Sequence, residues 1–122
     1  MDMLKLRSII IVIFITVSYA QATVPQTKIP SIKEFINDHS GLYDSYLYGI
    51  ESGFEWASEF YFRKHKVELY CKPNNINLPA IKLREIIMES INSKPGFFEK
   101  YENEPLVGLA LRNGLINQFP CQ

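Results

Sequence analysis

The side chains best able to do chemistry in this sequence are two cysteines and two histidines, Cys71, Cys121, His39 and His65. Cys71 follows His65 by six residues, and a thiol beside an imidazole could act as the nucleophile of a thiol hydrolase. No third orienting group or oxyanion motif accompanies this pair. Two cysteines and two scattered histidines also lack the spacing of a metal site. The sequence therefore predicts a protein that is not an enzyme, uses no metal or cofactor, and carries both histidines on its surface.

The first 22 residues have the pattern of a secretory signal peptide. Two basic residues precede an unbroken apolar run, Ile9–Val17, and small residues allow cleavage after Ala20 or Ala22. This run is much shorter than the roughly 20 residues needed to cross a bilayer. We therefore expect a mature chain, residues 23–122, to be released into the periplasm with no stable membrane anchor.

Export determines the expected state of the cysteines. Two thiols in one chain usually pair in an oxidising compartment, so the sequence predicts a disulfide between Cys71 and Cys121. A closed loop of that length stabilises a fold by about 4 kcal/mol in the chain-entropy account. This is a large share of the stability of a domain of about 100 residues.

The composition limits the class of protein. The chain has 122 residues, of which 47% are hydrophobic and 21% charged, and its formal net charge is zero. This length allows one domain, and the apolar content is typical of a folded chain. The absence of a basic surplus argues against nucleic acid as a partner, because phosphate binding requires one.

Helical periodicity predicts four helices, of which two precede Cys71. Ser31 and Glu34 form a capping box that begins a short first helix, and Gly41 suits its end. The second helix is the longest, at about residues 42–64. Its predicted core stripe consists of apolar residues that recur every three or four positions: Tyr43, Tyr46, Leu47, Ile50, Phe54, Ala57 and Tyr61.

The other two helices follow a turn at residues 72–75. The third is predicted to be capped by Asn77, with Pro79 in its first turn, and the fourth to run from Pro105 to Pro120. Their predicted inward faces are Leu83, Ile86, Ile87 and Ile91 on the third, and Leu106, Leu109, Ala110, Ile116 and Phe119 on the fourth. The predicted fold is a small, compact all-α domain of four helices or slightly more with one disulfide, in which the first helix covers one side of the core.

Two features of the second helix are not explained by its core stripe. Gly49 and Gly53 are four residues apart, and each costs about 1 kcal/mol relative to alanine inside a helix, so we expect another helix to pack closely there. Eight of the sixteen aromatic residues lie between Tyr43 and Phe62. They form either a wide core face or a surface that meets a second protein chain, and we expect a homodimer that uses part of it.

Three segments resemble those of one known family. Residues Tyr46–Ala57 look like the glycine-containing second helix of the Rap/Tai immunity proteins, Leu69–Pro73 resembles their Cys-x-Pro turn, and Gly114–Cys121 is similar to their terminal helix ending in Phe-Pro-Cys. The order and spacing of these segments also fit. Many relatives carry a further cysteine pair between the first two helices, whereas residues 35–45 here contain no cysteine.

The resemblance implies a function in competition between bacteria. Residues 23–122 would be a periplasmic immunity domain, homodimeric, with Cys71 paired to Cys121. Its partner would be a cognate peptidoglycan amidase of a type VI secretion system, a papain-like Cys/His hydrolase whose cleft the immunity protein blocks. The alternative is a toxin-free periplasmic binding or structural protein of the same fold.

The family motifs do not cover the loops, so partner contacts are predicted from expected exposure. We place them on the connection between the third and fourth helices, and then on the turn at residues 72–76. The residues proposed on the connection are Phe97, Phe98, Tyr101, Glu102 and Glu104. The two phenylalanines could instead fold back onto the core.

Overall fold

A computed structural model describes residues 28–122 and contains five α-helices in that range, with no strand. The predicted signal peptide lies outside the described residues. The helices are α1 (Ile32–Asn37), α2 (Asp44–His65), α3 (Ala80–Ser93), α4 (Pro95–Lys100) and α5 (Val107–Gln118). The prediction of a small all-α domain with one disulfide is confirmed.

The short helix α1 begins with the predicted capping box. The Ser31 hydroxyl accepts a hydrogen bond from the Glu34 amide at 3.1 Å, and the Ser31 amide donates to the Glu34 carboxylate at 3.0 Å. Each bond satisfies a backbone group that the first helical turn leaves open. Ile32 and Phe35 are fully buried, so α1 contributes to the core as well as covering it.

Helix α1 is attached to α3 by contacts of the Arg84 side chain. Arg84 of α3 donates hydrogen bonds to the Phe35 carbonyl at 3.1 Å and to the Asp38 carboxylate at 3.2 Å. The same guanidinium lies 4.3 Å from the centroid of the Phe35 ring. An arginine fork that reaches both a carbonyl and a carboxylate fixes orientation as well as position. Polar contacts and stacking therefore attach α1 to the centre of the fold.

Helices α3 and α5 make the most extensive contact in the fold and form its centre. The predicted inward face of α3 is confirmed, because Leu83, Ile86, Ile87 and Ile91 are all buried. The predicted inward face of α5 is partly wrong. Ala110 is buried as predicted and Ile116 is exposed, while the fully buried residues also include Val107, Leu111 and Leu115. Apolar residues extend around most of α5, so periodicity alone allowed more than one inward face.

The beginnings of two helices differ from the prediction. Pro79, and not Asn77, occupies the N-cap position of α3 and has an extended backbone, and α5 begins at Val107 two residues after Pro105. The turn lies at residues 74–75, and the chain then continues through the buried Leu78 to the extended Pro79 before α3 begins.

The disulfide between Cys71 and Cys121 is present as predicted, with the two Cα atoms 5.0 Å apart. It attaches the segment that follows α2 to the end of α5. Beside it, the Cys71 amide donates a hydrogen bond to the Phe119 carbonyl at 2.7 Å. The bridge closes a separation of 50 residues, so it joins parts of the chain that are otherwise far apart.

Candidate partner-binding surfaces

The predicted connection between the third and fourth helices contains a short helix, α4. Pro95 occupies the first turn, where its missing N–H costs nothing. Phe98 is 2% exposed and belongs to the core, so we remove it from the candidate partner contacts. The burial of this ring anchors α4 and leaves its opposite side facing solvent.

Two aromatic rings lie on the solvent side of this anchor. Phe97 is 42% exposed and Tyr101 is 37% exposed, and their ring centroids are 5.0 Å apart. Phe97 also contacts Phe98 edge-to-face at 5.1 Å. We call Phe97 and Tyr101 the α4 aromatic pair. The contact between Phe97 and the buried Phe98 ring therefore attaches the pair to the core.

The turn after α4 is attached to α1 by backbone hydrogen bonds. The Glu102 carbonyl accepts from the Lys33 amide at 2.8 Å, and the Glu104 carbonyl accepts from the Ile32 amide at 3.1 Å. The Glu104 side chain is exposed and that of Glu102 is half-buried. The backbone that carries Glu102 and Glu104, directly after the α4 aromatic pair in the chain, is therefore held against α1.

The outer side of α2 is a second candidate surface. Trp56 is 69% exposed and Phe60 is 67% exposed, one helical turn apart. Gly49 and Gly53 share their side of the helix by the 100° periodicity, directly opposite the buried Leu47. We call these two aromatics and two glycines the α2 outer face. Large exposed apolar patches of this kind mark interaction sites.

We expected another helix to pack against Gly49 and Gly53, and none does so within residues 28–122. A Cβ atom built on either glycine meets nothing within 4 Å among the described residues. The close approach occurs at Gly114 of α5 instead, where a Cβ would lie 2.4 Å from Cγ2 of Ile86 and 2.8 Å from its carbonyl oxygen. Glycine is required where α3 and α5 touch, and the outer face of α2 is open.

A third feature is a half-buried cluster of charges between α2 and the segment that follows it. The Lys72 ammonium lies 3.1 Å from the Glu51 carboxylate and also pairs with Glu55. Although burial by itself lowers the pKa of Lys72, the hydrogen bonds that its ammonium donates to the Glu55 and Glu51 carboxylates raise that pKa above its ordinary value. Burial raises the pKa of Glu51, and Lys72 opposes that shift.

Tyr70 lies beside this cluster with its hydroxyl unsatisfied. The residue is 8% exposed, and its hydroxyl has no hydrogen-bond partner among residues 28–122. Burial, reinforced by the neighbouring Glu55 and Glu51 carboxylates, raises the pKa of this hydroxyl far above its ordinary value. The group is therefore a neutral, buried and unpaired hydroxyl, which is rare in a folded protein.

We predict opposite stability effects for two tyrosine-to-phenylalanine changes. Tyr70→Phe should raise the free energy of unfolding by about 1 kcal/mol, because it removes a buried hydroxyl without a partner. Tyr48→Phe should lower it by about 1 kcal/mol, because the Tyr48 hydroxyl accepts a hydrogen bond from the Ala80 amide at 2.9 Å, at the start of α3. Urea unfolding followed by circular dichroism measures both. Equal losses in the two variants would contradict the assignment of Tyr70.

The catalytic and metal alternatives can now be examined in residues 28–122. Cys71 is in the disulfide, so it offers no thiolate to pair with His65. The cluster of Glu68, Cys71 and Cys121 has metal-ligand proximity, but both of its sulfurs are in the bridge. His39 and His65 are exposed as predicted. The His65 ring contacts the Tyr61 ring in a tilted arrangement, with the ring centroids 4.5 Å apart.

Sequence reasoning missed the Lys72 cluster and the Tyr70 hydroxyl. The signal for the first was partial, because Glu51 and Glu55 are four residues apart on one helix and predict a local acidic patch. Nothing in the sequence indicated that Lys72 contacts Glu51, which lies 21 positions earlier in the chain.

No helix among residues 28–122 has the length and apolar character needed to span a membrane. Comparisons of the chain with protein-family models, curated proteins and solved structures found no match.

Proposed function

We propose that this protein is a periplasmic immunity protein that binds a type VI secretion peptidoglycan amidase and covers its active-site cleft. The observation that carries the proposal is the α4 aromatic pair, Phe97 and Tyr101, exposed on a support anchored by a buried ring. A firmly mounted apolar projection can enter a cleft without a large ordering cost. The protein would act by shape and charge alone.

Two further features support this proposal. The Cys71–Cys121 disulfide suits an oxidising compartment such as the periplasm. The sequence contains no other cysteine, so no cysteine thiol is available as a nucleophile. The proposed role as an inhibitor requires neither a thiolate nor a metal.

The test is rescue of cells that express a candidate amidase in the periplasm. The intact protein should restore growth.

Tyr101→Ala and Phe97→Ala should each weaken binding to the amidase at least tenfold in a calorimetric titration, because aromatic anchors dominate the energy of such interfaces. Ile81→Ala is the control, since it shortens an exposed apolar side chain on α3, outside the α4 aromatic pair. Its affinity should remain that of the unmodified protein.

The alternative is a toxin-free periplasmic binding or structural protein of the same fold. Failure to rescue against the amidases encoded beside it, with the protein folded and exported, would contradict the immunity proposal and favour this alternative. A toxin gene next to the gene for this chain would favour immunity.

We also propose that the protein is a homodimer that uses the α2 outer face. Light scattering at micromolar concentration should give twice the monomer mass. Trp56→Glu should give the monomer mass, because it places a charge at the centre of the apolar patch. Ile81→Glu, an equivalent change at an exposed position of α3, should leave the mass unchanged. A monomer mass for the unmodified protein would remove the dimer proposal and leave the immunity proposal standing.

A further inference from the structure

The α2 outer face has a pattern that is unusual for the solvent side of a helix. That side normally carries charged residues, whereas Gly49, Gly53, Trp56 and Phe60 are all uncharged. They recur at intervals of four, three and four positions, so at about 100° per residue they share a stripe roughly 60° wide. Alternating intervals of four and three are typical of the seam along which two helices pack in a coiled coil. The face has this spacing, and no helix among residues 28–122 packs on its glycines.

The small residues of this seam lie at one end and the large ones at the other. Gly49 and Gly53 leave two holes, because a Cβ built on either meets nothing within 4 Å among residues 28–122. Trp56 and Phe60 form two knobs, with 69% and 67% of their surface exposed. The two members of each pair are four residues apart, which is about 6 Å along the helix axis. The face therefore carries the same spacing twice, once as holes and once as knobs.

A second copy of α2 that runs in the opposite direction matches both spacings in a single register. When Trp56 lies over Gly53 of the second copy, the equal spacing places Phe60 over Gly49 of that copy. Two-fold symmetry repeats both contacts from the other side, as an isologous interface requires. Every knob then enters a hole, so the two backbones can approach closely while four aromatic rings leave water.

A parallel pair of α2 helices does not fit the same surface. It would place each residue beside its own counterpart, so Trp56 would meet Trp56 and Gly53 would meet Gly53. The rings would hold the two helices apart, and the glycines would face a gap whose lining loses its packing contacts. The distribution of large and small residues therefore selects the antiparallel direction.

The charges at the two ends of α2 favour the same direction. Its first turn carries Asp44 and its last turn carries Arg63 and Lys64. An antiparallel pair brings the basic last turn of each helix toward the acidic first turn of the other, whereas a parallel pair brings two basic turns together. The opposite partial charges at the two ends of a helix add to this preference.

The area of the crossing is sufficient for a dimer. A fully covered aromatic side chain buries about 150–250 Å², and about two-thirds of each of the two rings is exposed in one copy. Four rings in a pair would therefore lose about 400–700 Å² of exposed surface. Because each ring covers a similar area of the other copy, the total reaches the roughly 1,000 Å² that a specific interface needs.

We infer that the protein dimerises through an antiparallel crossing of two α2 helices, in which Trp56 and Phe60 of each copy pack over Gly53 and Gly49 of the other. This inference rests on the homodimer proposed above and specifies its contacts and its direction. It does not involve the α4 aromatic pair, so its failure would leave the immunity proposal standing.

The first test exchanges a knob and a hole. Gly53→Trp should weaken dimerisation at least tenfold in a dilution series followed by light scattering, because it sets two tryptophans against each other. Trp56→Ala should also weaken it at least tenfold, by removing the knob. The double variant Gly53→Trp/Trp56→Ala should return to within about threefold of the unmodified protein, because it restores one large and one small residue at each contact. Two single variants that dimerise normally, or a double variant as weak as the single ones, would overturn the inference.

The second test is cross-linking between two different variants, Ser52→Cys and Glu59→Cys. Both positions are exposed at the same edge of the seam. In the antiparallel register they lie about 3 Å apart along the axis, whereas each is at least about 7 Å from its own counterpart, beyond the reach of a disulfide. Because the two native cysteines are bridged, each variant has one free thiol.

A mixture of the two variants should form a disulfide-linked pair under mild oxidation, detected by mass spectrometry, while each variant alone should stay largely uncross-linked. Glu85→Cys, at an exposed position of α3, is the control and should form no such product with either variant. A dimer in which Ser52→Cys links to itself would be parallel and would contradict the inference while keeping the homodimer. A monomer mass for the unmodified protein would contradict both.

Discussion

Replacing Cys71 and Cys121 together by serine should lower the free energy of unfolding by about 4 kcal/mol. The bridge spans 50 residues. In the chain-entropy account, a cross-link of that span lowers the conformational entropy of the unfolded chain and so raises the free energy of unfolding by about 4 kcal/mol. Domains of this size have total stabilities of about 5–15 kcal/mol. The double variant should therefore be near the limit of folding at 37 °C.

The measurement is urea unfolding of the oxidised protein, the reduced protein and the double-serine variant. Reduction of the unmodified protein should reproduce the loss, while reductant should have no effect on the variant, which serves as the control. The segment before α3 should also be held less firmly to the end of α5. The bridge lies beside the hydrogen bond from the Cys71 amide to the Phe119 carbonyl, and its removal should weaken that bond. A change below about 1 kcal/mol would show that other contacts hold the two segments together.

Replacing Gly114 by alanine should lower the free energy of unfolding by about 3 kcal/mol. The added Cβ would lie 2.4 Å from Cγ2 of Ile86 and 2.8 Å from its carbonyl oxygen. Neither atom is the far end of a flexible side chain, so the helices α3 and α5 must separate. Overpacking of this kind costs about 1–3 kcal/mol, and the contact lies at the centre of the fold.

Gly108→Ala is the matched control, because Gly108 is on the same helix and its added Cβ would meet only the Tyr46 hydroxyl at 3.9 Å. That variant should be neutral or more stable by up to about 1 kcal/mol, since alanine is the better helix former. Ile86→Leu in the Gly114→Ala background should restore part of the loss, because it removes the branch at Cβ. A Gly114→Ala protein as stable as Gly108→Ala would contradict the close contact.

The regions that were predicted well are those where local rules decide. Ser31 and Glu34 are three residues apart, and their reciprocal hydrogen bonds form within one turn of α1. The inward face of α3 was also predicted, because its apolar residues occupy one stripe and its charged residues fill the rest. The disulfide was predicted from two cysteines in a chain whose first 22 residues have the pattern of a signal peptide.

The candidate surfaces were predicted less well. Phe97 and Phe98 are adjacent and chemically identical, yet one is exposed and the other is in the core. Composition and spacing could not separate them, because the difference depends on how α4 rotates onto the core. Gly49 and Gly53 carried the sequence signature of a close contact, whereas Gly114 makes the contact seen in the structure.

The sequence by itself determined the class of fold, the capping of α1, the core side of α3 and the pairing of the two cysteines. These follow from interactions between residues within about four positions, or from the number of cysteines. The tertiary structure alone decided which side of α5 is buried, that Gly114 meets Ile86, and that Lys72 returns to Glu51. The physical reason is that these outcomes depend on which surfaces pack together. When apolar residues lie on several sides of a helix, the sequence of that helix alone does not determine which side packs against the core.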